Sequence, residues 1–469
     1  MKTFIPEMFV GSSPQLLAVL AGTINAVSDG MQYGWTAPTI PILQSENTPV
    51  PITHSEEVWL ESFYMIGGFA GLPFTISLIN IIGRKMTVWF SSIVGICGWI
   101  CIAAGNNVYY LFVGRFLLGI TADIAFTASP VYISEIAHQK IRGFLAGLIY
   151  LMLLVGIIIM YAIGPWIPIY GSAIVGISLL MVQIIIFPFM PESPYYLVYV
   201  NKIEEAEKAL KRLRVEKDVS RELEEIKTAV ERQKTENGRP QDLFTIKSNR
   251  KASFIMILLN FTQHFAGISV LIMNLHSILN EAGSNFVSPE VSAVLFPCLM
   301  LVTASIATLI IDDCGRKILL AISGLLTTIS LLILAVYFHL KYLEVQTDQF
   351  NWVPLLAVMV YAPSVKFGLG IVPIVITAEL FPAKVKGMGM ALADSVYLSS
   401  SILSIYCYQW WNRQFGIHIT FYLFTSICAL CSLLISFYVP ETKGRTLEEI
   451  QMILKNEATF NDKTQDTKL

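Results

Sequence analysis

Long apolar runs separated by short polar breaks occupy most of this chain. A bilayer is crossed by a helix of roughly 20 mostly apolar residues, and twelve runs meet that length: 14–42, 58–79, 86–105, 108–134, 143–163, 167–189, 252–276, 289–311, 318–340, 351–378, 387–408 and 417–438. Runs such as 143–163 and 318–338 hold no charged residue. The connections are too short for soluble domains, with one exception, the polar stretch 191–251. The pattern predicts an all-α membrane protein of twelve transmembrane helices. An N-terminal six-helix bundle covers 1–190, a linker 191–251, a second six-helix bundle 252–440 and a tail 441–469.

Within the linker the pattern changes. Glu204, Glu205, Glu207, Lys208, Lys211 and Arg212 alternate in sign, while Leu210 and Leu213 recur at helical spacing. This predicts short amphipathic helices carrying i,i+4 ion pairs. The end of the tail is expected to be disordered.

Composition narrows the class. The chain is 54% hydrophobic and 14% charged, against about 25% charged in soluble domains, so most of its surface is expected to face lipid. A net charge of −2 gives a nucleic-acid partner no electrostatic support. The cysteines show neither metal-ligand spacing nor a disulfide framework; Cys97 and Cys101 read as helix packing. No basic region precedes the first apolar run, so no cleavable signal peptide is expected. The sequon at Asn260 falls inside a predicted helix. No nucleotide-binding loop or metal-ligand cluster is present to suggest an enzyme. No cofactor, metal or obligate protein partner is expected.

The short-loop bases Arg84, Lys85, Lys140, Arg142, Arg316, Lys317, Lys384 and Lys386, with Lys443 and Arg445 of the tail, fall on one side if both termini are cytoplasmic. The opposite loops hold little beyond Lys341 and Arg413, and the segment with Glu46, Glu56 and Glu57 has no base.

The two halves repeat a chemical pattern. Gly83-Arg84-Lys85 follows span 2 and Gly315-Arg316-Lys317 follows span 8. Glu135 and Arg142 follow span 4, as Glu379 and Lys386 follow span 10. Pro191-Glu192-Ser193 follows span 6, as Pro440-Glu441-Thr442 follows span 12. Positive-inside anchoring accounts for the bases but not for acids at matched positions. The eight residues Arg84, Glu135, Arg142, Glu192, Arg316, Glu379, Lys386 and Glu441 are therefore expected to form a cytoplasmic gate, one network per half. As surface pairs they are expected to be individually weak, which suits contacts that open. Two pseudo-symmetric bundles suit a transporter that alternates access.

With these stretches, Gly114 to Gly119, Pro130 to Glu135, Gln263 to Ile268, Glu379-Leu380-Phe381-Pro382 and Pro440 to Gly444, the chain resembles the sugar porter family of the major facilitator superfamily over nearly its whole length. Gly34-Trp35-Thr36-Ala37-Pro38 and Pro41 resemble the insect facilitated trehalose transporters within it. The resemblance implies the major facilitator fold, a sugar as solute, and a site on spans 5, 7, 8, 10 and 11. Here the chain departs from the family. Tyr150 stands for a glutamine, Gln263-His264 for a double glutamine, Ser269 and Met300 for asparagines, and Ile374 for a tryptophan. Tyr397 and Leu398 replace the asparagine and tryptophan of span 11. Asn80 and Tyr195 depart in the loops. Gln263, His264, Ser269, Tyr150 and Tyr397 are the candidate substrate-binding residues.

The expected function is facilitated transport of a hexose or a trehalose-like disaccharide by a plasma-membrane carrier. A non-transporting sensor on the same fold, or a proton-coupled porter of another polar solute, is the alternative. Ionisable residues within spans are costly and normally mark a partner or a water-filled path. Asp29, Asp123, Lys366 and Asp394 are such residues. At 1.5 Å per residue Asp123 and Lys366 both stand about 18–20 Å from their gate acids, which leads us to expect a charge pair across the pathway or a site for a polar or charged group of the solute.

Overall fold

Apolar runs with few helix breakers, bounded by caps, become helices throughout. The computed structural model describes residues 13–455 apart from 46, 47, 49, 139, 140, 215–217, 236–238, 284–286, 347, 444 and 446. The chain separates into two compact units, 1–236 and 237–469. Glu46, Lys140 and the tail beyond 455 lie outside the described residues, as do the side chains of Asp312 and Asp313.

The first unit holds α1 (Ser13–Gly22), α2 (Ile24–Tyr33), α3 (Thr36–Leu43), α4 (His54–Ile81), α5 (Arg84–Ala103), α6 (Val108–Ile136), α7 (Arg142–Ile163) and α8 (Ile169–Ile186), then α9 (Pro194–Tyr199), α10 (Ile203–Arg214) and α11 (Ser220–Thr235). The second holds α12 (Asp242–Thr245), α13 (Lys247–Phe265), α14 (Ile268–Ala282), α15 (Pro289–Cys314), α16 (Arg316–Tyr342), α17 (Val353–Phe367), α18 (Val372–Leu380), α19 (Lys386–Phe415), α20 (Ile417–Tyr438) and α21 (Leu447–Lys455). Among the described residues there is no strand.

Among the described residues, eleven helical segments are long and apolar enough to cross a membrane. The remaining predicted span, 14–42, is not one helix but α1 to α3. Its chain breaks at Thr23, whose hydroxyl turns back to the Val19 carbonyl at 2.9 Å, and at Gly34-Trp35, where the Trp35 indole donates to Ser172 at 3.3 Å. Pro38 and Pro41, which lack an N–H, follow in α3. Two more spans are interrupted. Gly267, at φ 86°, joins α13 to α14, and residues 368–371 join α17 to α18. Irregular backbone at membrane depth needs replacement partners. Tyr361 supplies one by donating to the Ala266 carbonyl at 2.7 Å. Ser323 supplies the other: its hydroxyl donates to Ser364 O at 2.7 Å and accepts from Leu369 N at 2.9 Å.

Large apolar side chains such as Ile81, Phe74 and Phe437 stand exposed on the helices, as a lipid-facing surface requires. In an apolar 18-residue stretch of span 7, Lys247–Ala282, 89% of the residues are buried, against 33% in that of Pro289–Ile311 of span 8. Span 7 is thus an interior element, and its polar residues are enclosed.

The polar stretch forms helices with a small core of their own, including Leu197, Leu210, Leu223 and Val230. These helices belong to the first unit. The Gln15 amide donates to Leu213 O at 3.1 Å and its carbonyl accepts from His138 N at 2.8 Å. Arg214 grips Glu222 at 2.7 Å and donates to the terminal carbonyl of α6, Ile136 O, at 2.8 Å.

Candidate functional site

At one end of each unit stands an Arg–Glu cluster. In the first, Gly83 (φ 93°) starts α5 and swings Arg84 towards α6, where the guanidinium grips Glu135 at 2.8 Å through Nε and 2.9 Å through Nη2. Ser193 donates to the same carboxylate, and the Tyr196 ring lies 5.3 Å from the guanidinium. In the second, Gly315 (φ 88°) starts α16, Arg316 Nη2 reaches Glu379 at 2.9 Å, and Thr442 donates to Glu379 at 2.6 Å. Residue for residue, Arg84, Glu135 and Ser193 match Arg316, Glu379 and Thr442.

Glu192 and Glu441 play a different part from a gate pair. Glu192 accepts from the backbone N–H of Lys85 at 2.9 Å. Glu441 accepts from those of Arg316 and Lys317, both at 3.0 Å. Each carboxylate caps the N-terminus of a helix that has no side-chain cap of its own, where unsatisfied N–H groups and the helix dipole favour an anion. A Cβ on Gly83 would lie 2.7 Å from Glu192 Oε2, and one on Gly315 2.8 Å from Glu441 Oε2. Glycine is needed at both places for close approach and for its backbone angle.

The clusters are not surface pairs. Side-chain exposure is 10% for Arg84 and 15% for Glu135, and 8% for Arg316 and 23% for Glu379. The weakness expected of exposed pairs therefore does not apply. Of the other predicted gate residues, Arg142 makes no ion pair among the described residues, and its Nε is buried without a hydrogen-bond partner. Lys386 opens α19 and is itself engaged.

The predicted substrate residues divide. His264 Nδ1 lies 2.8 Å from Ser269 Oγ, which lies 2.9 Å from Ser401 Oγ, and the Tyr397 ring meets the imidazole edge-to-face at 4.2 Å. His264 Nε2 is buried with no partner. Gln263 is only 6% exposed, yet its amide has no hydrogen bond among the described residues. Tyr150, in the other unit, packs tilted against Phe126, with ring centroids 5.2 Å apart. Met300 is fully buried core.

Among the predicted intramembrane charges, Asp29 accepts from Tyr64, and Asp123 accepts from Thr75 and, at 3.4 Å, from Thr127. Asp394 is half-buried and engaged. Lys366 is 8% exposed and has no partner among the described residues. Sequence reasoning missed two charges, Arg115 and Glu61, both with no exposed surface. Arg115 donates to Leu60 O at 3.0 Å and to the Gln32 side chain at 3.0 Å, and stacks on Tyr64 at 4.6 Å. Their presence inside spans 2 and 4 was the available signal. No group of His, Cys, Asp or Glu among the described residues is arranged to hold a metal.

The family described as "Sugar (and other) transporter" matches residues 17–454. A facilitated trehalose transporter of Apis mellifera ligustica is 30% identical over 93% of this chain and 87% of its own, and one of Bombyx mori is 29% identical over 94% and 86%. The proton:xylose symporter XylE, bound to 6-bromo-6-deoxy-D-glucose, shares the fold with a TM-score of 0.75 at 21% identity, covering 95% of this chain and all of XylE. An inward-open XylE from E. coli gives 0.77 at 19% identity over 93% and 98%. With the match running through both units, this chain belongs to the sugar transporter family and is a multi-pass membrane carrier, not an enzyme.

Proposed function

We propose that this protein is a facilitative carrier of the plasma membrane, with both termini cytoplasmic, that moves a hexose or a trehalose-like disaccharide by alternating access. The observation that carries this reading is Gln263, a residue only 6% exposed on an interior span, whose amide has no hydrogen bond among the described residues and is not sealed from open space. An amide that is unbonded yet open to accessible space is placed to bond a hydroxylated solute. The trehalose transporters similar to this chain favour the same solute class. His264 Nε2 offers a second polar group nearby in sequence, with Ser269 and Tyr397 holding the ring.

The Arg–Glu clusters act in this reading as the cytoplasmic gate. Buried and geometrically matched, they stabilise one state of the cycle, and neutralising Glu379 shifts the resting population towards the inward-open state. The test of the transport reading is uptake of a panel of labelled sugars by cells lacking other hexose carriers. Saturable uptake of glucose or trehalose, with affinity weakened about 5- to 150-fold by Gln263→Ala from the loss of one or more hydrogen bonds, is expected. An unchanged transport constant would remove Gln263 from the site.

A further inference from the structure

Lys366 is the one predicted intramembrane charge that the structure leaves without a partner among the described residues. Its surroundings are otherwise satisfied. The amides of the break that follows α17 are bonded: Leu369 N to Ser323, Gly370 N to Val365 O at 2.8 Å, Val372 N to Gly368 O at 2.9 Å. The lysine stem is held against that break, since a Cβ on Gly370 would lie 2.9 Å from Lys366 Cδ. The fixed stem leaves the ammonium as the open donor. A buried ammonium without an anion is costly and is normally paired. Asp123 shows the contrast, because Thr75 and Thr127 of its own unit satisfy it.

The position of Lys366 can be read against span 7. Two contacts tie spans 7 and 10 together: Tyr361 to Ala266 O at 2.7 Å, and Thr377 Oγ1 to Met256 Sδ at 3.2 Å. Between these ties, Lys366 lies five residues beyond Tyr361 and Gln263 three residues beyond Ala266, towards the same end. At 1.5 Å per residue the two differ in depth by about 3 Å. An unused ammonium and an unused amide, each on a largely buried residue and neither sealed from open space, thus stand at one level of the second unit.

We infer that Lys366 binds an anionic group of the solute, and that the carrier takes a hydroxylated solute bearing a carboxylate or a phosphate, a sugar acid rather than only a neutral sugar. Gln263 takes a hydroxyl and Lys366 the anion. This rests on the carrier reading and on Gln263 within it, and adds the charge requirement.

The experiment uses the full-length purified protein in liposomes. Labelled glucose uptake is measured alone and against unlabelled glucuronate, glucose 6-phosphate and trehalose, and labelled glucuronate uptake is measured directly. The expected result is that at least one anionic sugar is transported and competes more strongly than its neutral parent; the two anions distinguish carboxylate from phosphate. Losing a hydrogen bond to a charged group corresponds to about 10- to 150-fold, so Lys366→Met is expected to lower the anion-to-neutral ratio of kcat/KM by that factor, and Lys366→Arg to retain most of it. The competition on the unaltered protein decides the matter even if Lys366→Met fails to fold. Neutral-sugar uptake that neither anion inhibits would overturn the inference and leave the carrier reading intact. Absence of flux for every solute would overturn both.

Discussion

The two Arg–Glu clusters share a plan but not a setting. Both join a glycine-started helix, a buried Arg–Glu pair, a hydroxyl on the same carboxylate and a second carboxylate on the helix N-terminus. Around the first cluster stand α9 to α11. Tyr196 covers the guanidinium and Arg214 clamps Ile136 O, the carbonyl next to Glu135. Beside the second stands α21, where the neutral amide of Gln451 donates to Leu380 O, the carbonyl next to Glu379, at 2.6 Å. The same orphan carbonyl is therefore capped in both units, by a charged donor in one and a neutral donor in the other. The matched residues give both clusters the same chemistry, while the sequences outside the repeat set how firmly each is held. The second is the looser, and the better candidate for the side that opens.

The largest expected difference concerns the buried acids. Removing one partner of a buried pair costs about 3–5 kcal/mol. Glu135→Gln is expected to fall in that range, and Glu379→Gln to cost less, because its carboxylate is 23% exposed against 15% for Glu135. Thermal unfolding of the purified variants in detergent measures this, and the reverse order would break the comparison.

Next come the glycines. A side chain in this extended positive-φ region, which is essentially glycine's alone, costs about 1–3 kcal/mol, so Gly83→Ala and Gly315→Ala are both expected to destabilise. Gly83→Ala should lose more, since its Cβ would also lie 2.6 Å from the Tyr196 ring. The caps follow. Arg214→Ala removes charge-assisted bonds, about 1.5–3 kcal/mol, whereas Gln451→Ala removes a neutral one, about 0.5–1.5 kcal/mol; the same melting series ranks them.

The smallest effect is in pH dependence. Burial pushes the Glu192 carboxyl above its ordinary value of 4.5, outweighing the N–H groups of Lys85 and Ser193. For Glu441 burial also pushes upwards, but the N–H groups of Lys443, Arg316, Lys317 and Thr442 outweigh it and hold the carboxyl below 4.5. An acid lowered in the folded state contributes stability above its unfolded pKa and loses it as pH falls through the folded one; a raised acid costs stability as pH rises past the unfolded pKa. Glu441→Gln is expected to flatten the loss of stability below pH 4.5, and Glu192→Gln to flatten a decline above it. Identical pH profiles for the two variants would contradict the assignment.

Much of the fold was legible because a bilayer admits few structures and marks them with long apolar runs. The clusters were legible because acids recurred at matched places. Less was visible where the physics is local. The breaks at Gly267 and 368–371 depend on replacement partners, Tyr361 and Ser323, which lie far away in the chain. That Glu192 and Glu441 cap helices follows from the close approach at Gly83 and Gly315 rather than from spacing, and that Arg142 makes no ion pair among the described residues needed the packed side chains. The substrate residues were partly readable: Gln263 was found by resemblance, but that its amide is unused while the imidazole of His264 is tied to Ser269 needed the packed helices.

The central claim is that solute passes through this protein. Entrance counterflow tests it most directly: the purified carrier in liposomes preloaded with unlabelled sugar, with the labelled sugar outside. The account predicts a transient accumulation of label that requires the internal sugar and weakens in Gln263→Ala. No accumulation of any sugar tested, with ligand-dependent thermal stabilisation intact, would contradict it and make the protein a sensor.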